Sequence, residues 1–409
     1  MKCRHCAATL DRVCLDLGSA PPSNAYLSEA ALRAPELWYP LRLLACERCW
    51  LVQTEDHAGR EALFSDDYAY FSSFSSSWLA HAEAYVRAMK ARFDLTSASL
   101  VCEVAANDGY LLRYVQDEGI PCYGIEPTAS TARAARALGL DVVERFFGVG
   151  LARELAAAGR QVDLVAANNV LAHVPDINDF VAGFAALLKP DGVATFEFPH
   201  LLRLLRENQF DTVYHEHYSY LSLGTVRRVF EANGLAVFDV EEHPTHGGSL
   251  RVFAQRADTG RRATTEAVAR VLRDEAEVGL ATSAGYDGFQ AKVDKVKDDF
   301  IAYLIESRRA GRTVAAYGAA AKGNTLMNYA GVRPGLIAFV VDRNPAKQGK
   351  YMPGSRIPIV AEDHLRSTRP DDVVLLPWNL RDELMPQLAY VREWGGRFVT
   401  AVPSLKVVP

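Results

Sequence analysis

Two histidines, one glutamate and three tyrosines share the stretch VYHEHYSYLSL, from Val213 to Leu223. Groups this polar are costly to bury without partners, so they serve a metal, a proton transfer or a hydrogen-bonded core. A metalloprotease helix needs H-E-x-x-H, with its histidines four apart on one face. His215 and His217 are two apart, a strand or loop spacing. The following SLGTVRRVFEANG reads as a helix capped by Ser222 and closed by Asn233-Gly234. The cluster therefore belongs on the irregular segment leading into that helix, where catalytic groups are commonly presented. Tyr214, His215, Glu216, His217 and Tyr218 would perturb one another's pKa if buried together, which favours a site over a satisfied core.

A second chemistry-bearing pattern is cysteine. Cys3 and Cys6 form one C-x2-C, and Cys46 and Cys49 another. Each pair presents two thiolates from one tight turn, and two turns facing each other complete a tetrahedral shell for Zn(II). Rubredoxin-like iron is the nearest rival. Four thiolates leave no open coordination position, so the expected metal is structural. Cys14, Cys102 and Cys122 lack paired spacing and read as small core residues.

These residues need elements to position them. From about residue 80, strands and helices alternate: SLVCEVAANDGYLLRYVQDEG is a buried strand, a tight turn and a helix, followed by the strand CYGIEP. DVVERFF, DLVAANNVLAHV and GVATFEFP continue the figure, which is that of a doubly wound parallel sheet. Glu103, Ala105, Asn107 and Gly109 fall at E-x-G-x-G-x-G spacing with two glycines replaced. Glu126 ends the second strand, where a carboxylate can accept from both hydroxyls of a ribose. A dinucleotide would need the third glycine beside its pyrophosphate, whereas S-adenosylmethionine has none and tolerates Asn107. Phe146 and Phe147 are candidates for the adenine wall, and Asn168 and Asn169 for further contacts to this donor. The rival is a Rossmann turn that binds nothing.

Two long helices are expected between 263 and 312, and a second α/β unit follows. In YGAAAKGNTLMNY, Lys322, Asn324 and Thr325 stand between a strand and a helix start, a place to hold phosphate. Asp342 ends the next strand, with Arg343 and Lys347 after it, so a nucleoside diphosphate could lie across the strand ends. An NAD(P)-dependent oxidoreductase, or a merely solvated basic loop, is the alternative for this unit.

Across its 409 residues the chain is 49% hydrophobic and 23% charged, with a net charge of −5. That suits a soluble globular protein of two or three domains and gives nucleic-acid binding no electrostatic support. MKCRHCAATLDRVC lacks an apolar signal region and no later run approaches about 18 apolar residues. A cytoplasmic protein without a membrane partner is expected.

Taken in order, the paired C-x2-C with PPSNAYL, DDYAYFSSFSSSW, EVAANDGYLL, GIEPT, NNVLAHVPD, YHEHYSYLSL, HGGSLRV, AYGAAAKGNTLMNY and DRNPAKQGKYMPG resemble the zinc-containing nucleotide-sugar C-methyltransferases, in particular the dTDP-4-keto-deoxysugar 3-C-methyltransferases of antibiotic pathways. The resemblance covers nearly the whole chain. It implies an α/β protein in three parts: a zinc-binding module (1–78), a Rossmann-like class I methyltransferase domain binding S-adenosylmethionine (79–258), and a second Rossmann-like domain helping hold the dTDP-sugar (259–409). It further implies a monomer with His217 as general base, Glu216 and Tyr214 beside it, and His173 and Tyr68 near the sugar. A relative acting at carbon 5 would use the same residues. Ala105 departs from the glycine usual there, and its methyl is expected to be tolerable.

Overall fold

A computed structural model describes residues 1–57 and 71–409. Tyr68 lies outside the described residues. The strands are β1 (Arg12–Ala20), β2 (Tyr39–Ala45), β3 (Val52–Thr54), β4 (Val101–Val104), β5 (Cys122–Ile125), β6 (Val142–Val143), β7 (Val162–Asn168), β8 (Leu188–Pro199), β9 (Ser219–Tyr220), β10 (Leu235–His243), β11 (Ser249–Arg256), β12 (Val314–Tyr317), β13 (Val340–Val341), β14 (Ile359–Val360), β15 (Asp372–Leu375), β16 (Arg397–Thr400) and β17 (Lys406–Val408).

They form three sheets. The central one has seven strands in the order β10-β11-β8-β7-β4-β5-β6. Its inner strands are parallel, while β11 runs antiparallel to both β8 and β10. β4 and most of β7 are buried on both faces, as parallel strands covered by helices must be. This strand order, with its reversed edge, is the Rossmann-like methyltransferase arrangement. The carboxyl ends of β4, β7 and β8 open on one side, where ligands of doubly wound sheets sit. The C-terminal sheet, in the order β14-β13-β12-β15-β16-β17, is parallel except for β17.

Helices Glu266–Val278 and Phe289–Arg309 occupy the stretch expected to hold two long helices. The helix after the histidine cluster spans Leu223–Ala232, and its Ser222 hydroxyl accepts from the amide of Thr225 at 3.2 Å. Val226, Val229 and Phe230 line its buried face at helical spacing.

The four-stranded amino-terminal sheet runs β1-β2-β3-β9, and its last strand comes from the histidine segment. Val52 pairs with Tyr220 and Gln53 with Ser219. The segment read as irregular thus contains a strand completed by a partner some 160 residues away in sequence. Leu15, Leu17, Leu41 and Leu43 of this sheet pack in one core with Phe289, Val293 and Phe300, and with Leu326 and Met327 of the C-terminal unit. Burying one such leucine stabilises by about 1.5–3 kcal/mol, so the metal module is welded to its neighbours and is not an appendage.

Candidate active site

The turn after β4 has a demanding backbone. Ala105, Asn107 and Gly109 adopt φ of 60°, 48° and 80°, the left-handed region that glycine enters freely and other residues rarely. A side chain at Gly109 would run into Leu140. Ala105 and Asn107 hold the same conformation because neighbours pin it. The amide of Asn107 donates to Glu126 at 2.9 Å, and its side-chain oxygen accepts from the amide of Ser72 at 3.0 Å. Glu126 also accepts from the amide of Thr128 at 2.9 Å. The C-terminal unit repeats this clamp, with Asp342 accepting from the amides of Ala319 and Asn344, both at 2.8 Å. In each unit the acid ending the second strand therefore holds the turn after the first.

Around the turn, buried acceptors remain unmatched among the described residues: Oδ1 of Asp108, and Oδ1 of Asn168 and Asn169. Such groups are costly in a sealed interior and suit a site built for a polar ligand. The turn and its unmatched acceptors fit S-adenosylmethionine, and Asn107, Glu126, Asn168 and Asn169 are the residues that would hold it. The adenine wall needs correction. Phe147 packs edge-on against Phe180 and Phe184, at 5.6 and 5.0 Å between ring centroids, and is spent on the core. Phe146 is 38% exposed.

The histidine segment crosses the same side of the sheet. The amide of Tyr218 donates to Ala172 O at 2.8 Å, and the Thr54 hydroxyl donates to His217 O at 2.9 Å. His217 Nδ1 lies 3.0 Å from Thr212 O. A carbonyl only accepts, so Nδ1 carries the proton and Nε2 is the basic atom. The ring lies 3.9 Å from that of Tyr214 and 4.6 Å from that of His173. Burial, reinforced by His173, holds His217 well below the usual imidazole range, and burial holds His173 at about 4. Both are neutral at physiological pH. His173 Nδ1 in turn donates to Glu216 O at 2.9 Å. His215 points elsewhere, with Nε2 3.2 Å from Pro40 O of the metal module.

Glu216 is sealed, and burial pushes its carboxyl up to about 7. Asn24 Nδ2 donates to it at 2.6 Å. Because the folded pKa exceeds the ordinary value of 4.5, the unfolded chain releases this proton first as pH rises. The stabilisation belonging to Glu216 is therefore complete below about 4.5 and lost by about 7. Glu216→Gln should flatten the decline in Tm between pH 5 and pH 7 relative to wild type. Parallel melting curves would show no difference if Glu216 were already ionised in the folded protein.

The C-terminal unit contributes unevenly. Thr325 is buried and donates its hydroxyl to Val213 O at 2.8 Å, so it pins the histidine segment and does not face a ligand. Asn324 is buried, and its side-chain nitrogen and oxygen have no partner among the described residues. Arg343 is committed to Glu362 at 2.9 Å and Gln387 at 2.7 Å. Asp342 and Lys347 meet at the strand end, 3.6 Å apart, with Lys347 also donating to Ala319 O at 2.8 Å. Lys322 lies apart from them, its Nζ 5.2 Å from the centre of the Trp378 ring.

In the metal module, the Sγ atoms of Cys3, Cys6, Cys46 and Cys49 all lie within 4.8 Å of one another, and the pairs Cys3–Cys49 and Cys6–Cys46 are 3.5 Å apart. A tetrahedron with Zn–S near 2.3 Å has edges of about 3.8 Å, so the donor set fits zinc. The two turns match: Ala7 N donates to Cys3 O at 3.0 Å and Trp50 N to Cys46 O at 2.7 Å, and both residues have positive φ.

Three family models match in order along the chain: a zinc binding domain over residues 3–64, a methyltransferase domain over 78–240, and a C-methyltransferase C-terminal domain over 244–403. The C-methyltransferase NovU of Streptomyces niveus is 34% identical over 407 residues, covering 100% of this chain and 96% of that protein. The chain belongs to the zinc-binding C-methyltransferases. Among solved structures, the magnesium protoporphyrin IX methyltransferase of Synechocystis PCC 6803 is 17% identical, covering 44% of this chain and 79% of its own, with a TM-score of 0.34. The 1,6-didemethyltoxoflavin-N1-methyltransferase of Burkholderia thailandensis is 16% identical, covering 50% and 95%, with a TM-score of 0.36. At those scores the likeness carries no argument about substrate.

The C-methyltransferase site also holds residues that sequence reasoning missed. Glu197 at the end of β8 is fully buried and meets His81 and Arg251, each at 2.8 Å, and the Thr245 hydroxyl at 2.9 Å. Burial alone would raise its carboxyl, but the hydrogen bond from His81 and the charge of Arg251 hold it at about 2. His81, Glu197 and Arg251 are scattered over 170 residues and carry no motif. Asn24 was within reach, because it sits in the PPSNAYL segment already noted, but nothing local pairs it with Glu216.

Proposed function

We propose that this C-methyltransferase transfers a methyl group from S-adenosylmethionine to carbon 3 of a dTDP-linked 4-keto-deoxysugar, in deoxysugar and antibiotic biosynthesis. The observation that carries this reading is the convergence of all three parts of the chain on His217. Thr54 of the metal module holds its carbonyl, His173 of the methyltransferase sheet packs on its ring, and Thr325 of the C-terminal unit fixes the backbone four residues before it.

A saturated C–H bond cannot attack a methyl donor, but a carbon beside a ketone can be made nucleophilic by removing its proton. His217 Nε2 takes that proton. The C–H electron pair becomes the carbon–carbon double bond of an enolate, and the carbonyl electrons move to oxygen. S-adenosylmethionine supplies an electrophilic methyl group on a sulfonium. The enolate carbon uses its electron pair to form the new C–C bond, and the departing sulfur retains the pair of the bond that breaks. A buried, neutral imidazole suits this task because it is unprotonated before substrate arrives. The rings of Tyr214 and His173 pack against that of His217 and leave less room for water beside it.

Incubating the protein with S-adenosylmethionine and a panel of dTDP-linked 4-keto-deoxysugars should yield a product heavier by one methylene, with the new methyl on carbon 3 by NMR. Methylation at carbon 5 would move the assignment to that position. Transfer to sugars lacking a ketone would end the enolate reading.

A further inference from the structure

We propose that Lys322 is the cation that holds the ketone oxygen while His217 deprotonates the ring, and that it does not serve as a diphosphate ligand. This rests on the enolate reading above.

Lys322 occupies the first turn of the helix Ala321–Tyr329, one turn before Thr325. Its ammonium lies over the ring of Trp378, 5.2 Å from its centre, and the indole Nε1–H donates to Asp211 Oδ2 at 2.7 Å. Among the described residues the ammonium donates only to neutral oxygens, His246 O at 3.4 Å and Asn379 Oδ1 at 3.3 Å, both at the long end of hydrogen bonding. Burial lowers the pKa of the ammonium, and the charge of Asp211 opposes that shift. An ammonium so placed has donor capacity to spare and a strong preference for an anion.

Its position selects which anion. Asp211 is followed by Thr212, whose carbonyl orients the His217 ring, and Thr325 on the same helix binds Val213 O. Lys322 and His217 are thus tied to the same short segment, Lys322 through Trp378 and Asp211 and His217 through Thr212. Lys347, the cation suited to phosphate, pairs with Asp342 just beyond β13 and donates to Ala319 O. A cation beside the base answers the charge the base creates. Preorganised donors aimed at such an oxyanion typically contribute 10²–10³-fold in rate.

The test uses the full zinc-loaded chain and a dTDP-linked 4-keto-deoxysugar. Three quantities are compared in wild type, K322M and K322R: kcat, deuterium uptake from D2O at the carbon beside the ketone without methyl donor, and the Kd of free dTDP. In K322M, kcat and deuterium uptake should both fall about 100-fold or more while the Kd of dTDP stays within about twofold. K322R, which keeps the charge but displaces it, should recover part of both rates. If K322M fails to retain zinc, K322R carries the test by the same divergence between rate and dTDP affinity. Weakened dTDP binding with preserved kcat, or unchanged rates, would overturn the role of Lys322. A wild-type enzyme that methylates without exchanging deuterium would instead overturn the enolate reading on which it stands.

Discussion

His217→Ala should remove nearly all turnover, by about 10²–10⁴-fold, while S-adenosylmethionine binds as in wild type. The separation follows from the geometry. The imidazole's partners are Thr212 O and the rings of Tyr214, His173 and Tyr220. The donor turn is held instead by Glu126 and Ser72. Deleting the ring should therefore leave donor affinity alone and stop the proton transfer. Calorimetric titration with S-adenosylmethionine beside a turnover assay checks both halves. Wild-type turnover in the variant would refute the base assignment, and lost donor affinity would show that His217 supports the fold of the donor site. His173→Ala is the informative neighbour. Its Nδ1–H fixes Glu216 O, so its removal should loosen the segment and lower kcat less than loss of the base itself.

Cys3→Ser should abolish zinc binding, lower Tm and reduce turnover together, although no cysteine approaches the proposed chemistry. The link is β3. It emerges directly from the second metal turn, pairs with β9, and ends at Thr54, which holds His217 O. Losing the metal frees the turn that starts β3, and the catalytic segment loses its lateral support. In small zinc domains the metal supplies about 10–16 kcal/mol of apparent folding free energy. The loss here should be smaller, because β1 and β2 share a core with the C-terminal unit that survives without metal. Zinc content, melting temperature and kcat measured on one preparation decide the matter. A zinc-free variant with full turnover would mean that β3 holds its place unaided.

How far the chain could be read in advance depended on the range of the interactions involved. The four cysteine ligands were legible because each C-x2-C closes its own turn, with hydrogen bonds from Ala7 and Trp50 back to the first cysteine. The donor turn was legible because strand, turn and helix are adjacent in sequence. Ala105 illustrates the limit. Its methyl is accommodated, but the cost of its left-handed backbone appears only when φ is known. At Thr325 the residue type suited a phosphate, but packing spends its hydroxyl on Val213 O.

Residue order and type alone therefore determined the metal ligands, the doubly wound sheet with its ligand turn, and the presence of a reactive histidine cluster, since each follows from periodicity or from groups only a few residues apart. Tertiary structure alone decided that Asn24 meets Glu216, that His81 and Arg251 hold Glu197, and that Lys322 and His217 are tied to one segment. Those choices depend on side chains from distant segments competing for the same buried volume and the same few hydrogen-bond partners, which packing settles and local spacing does not encode.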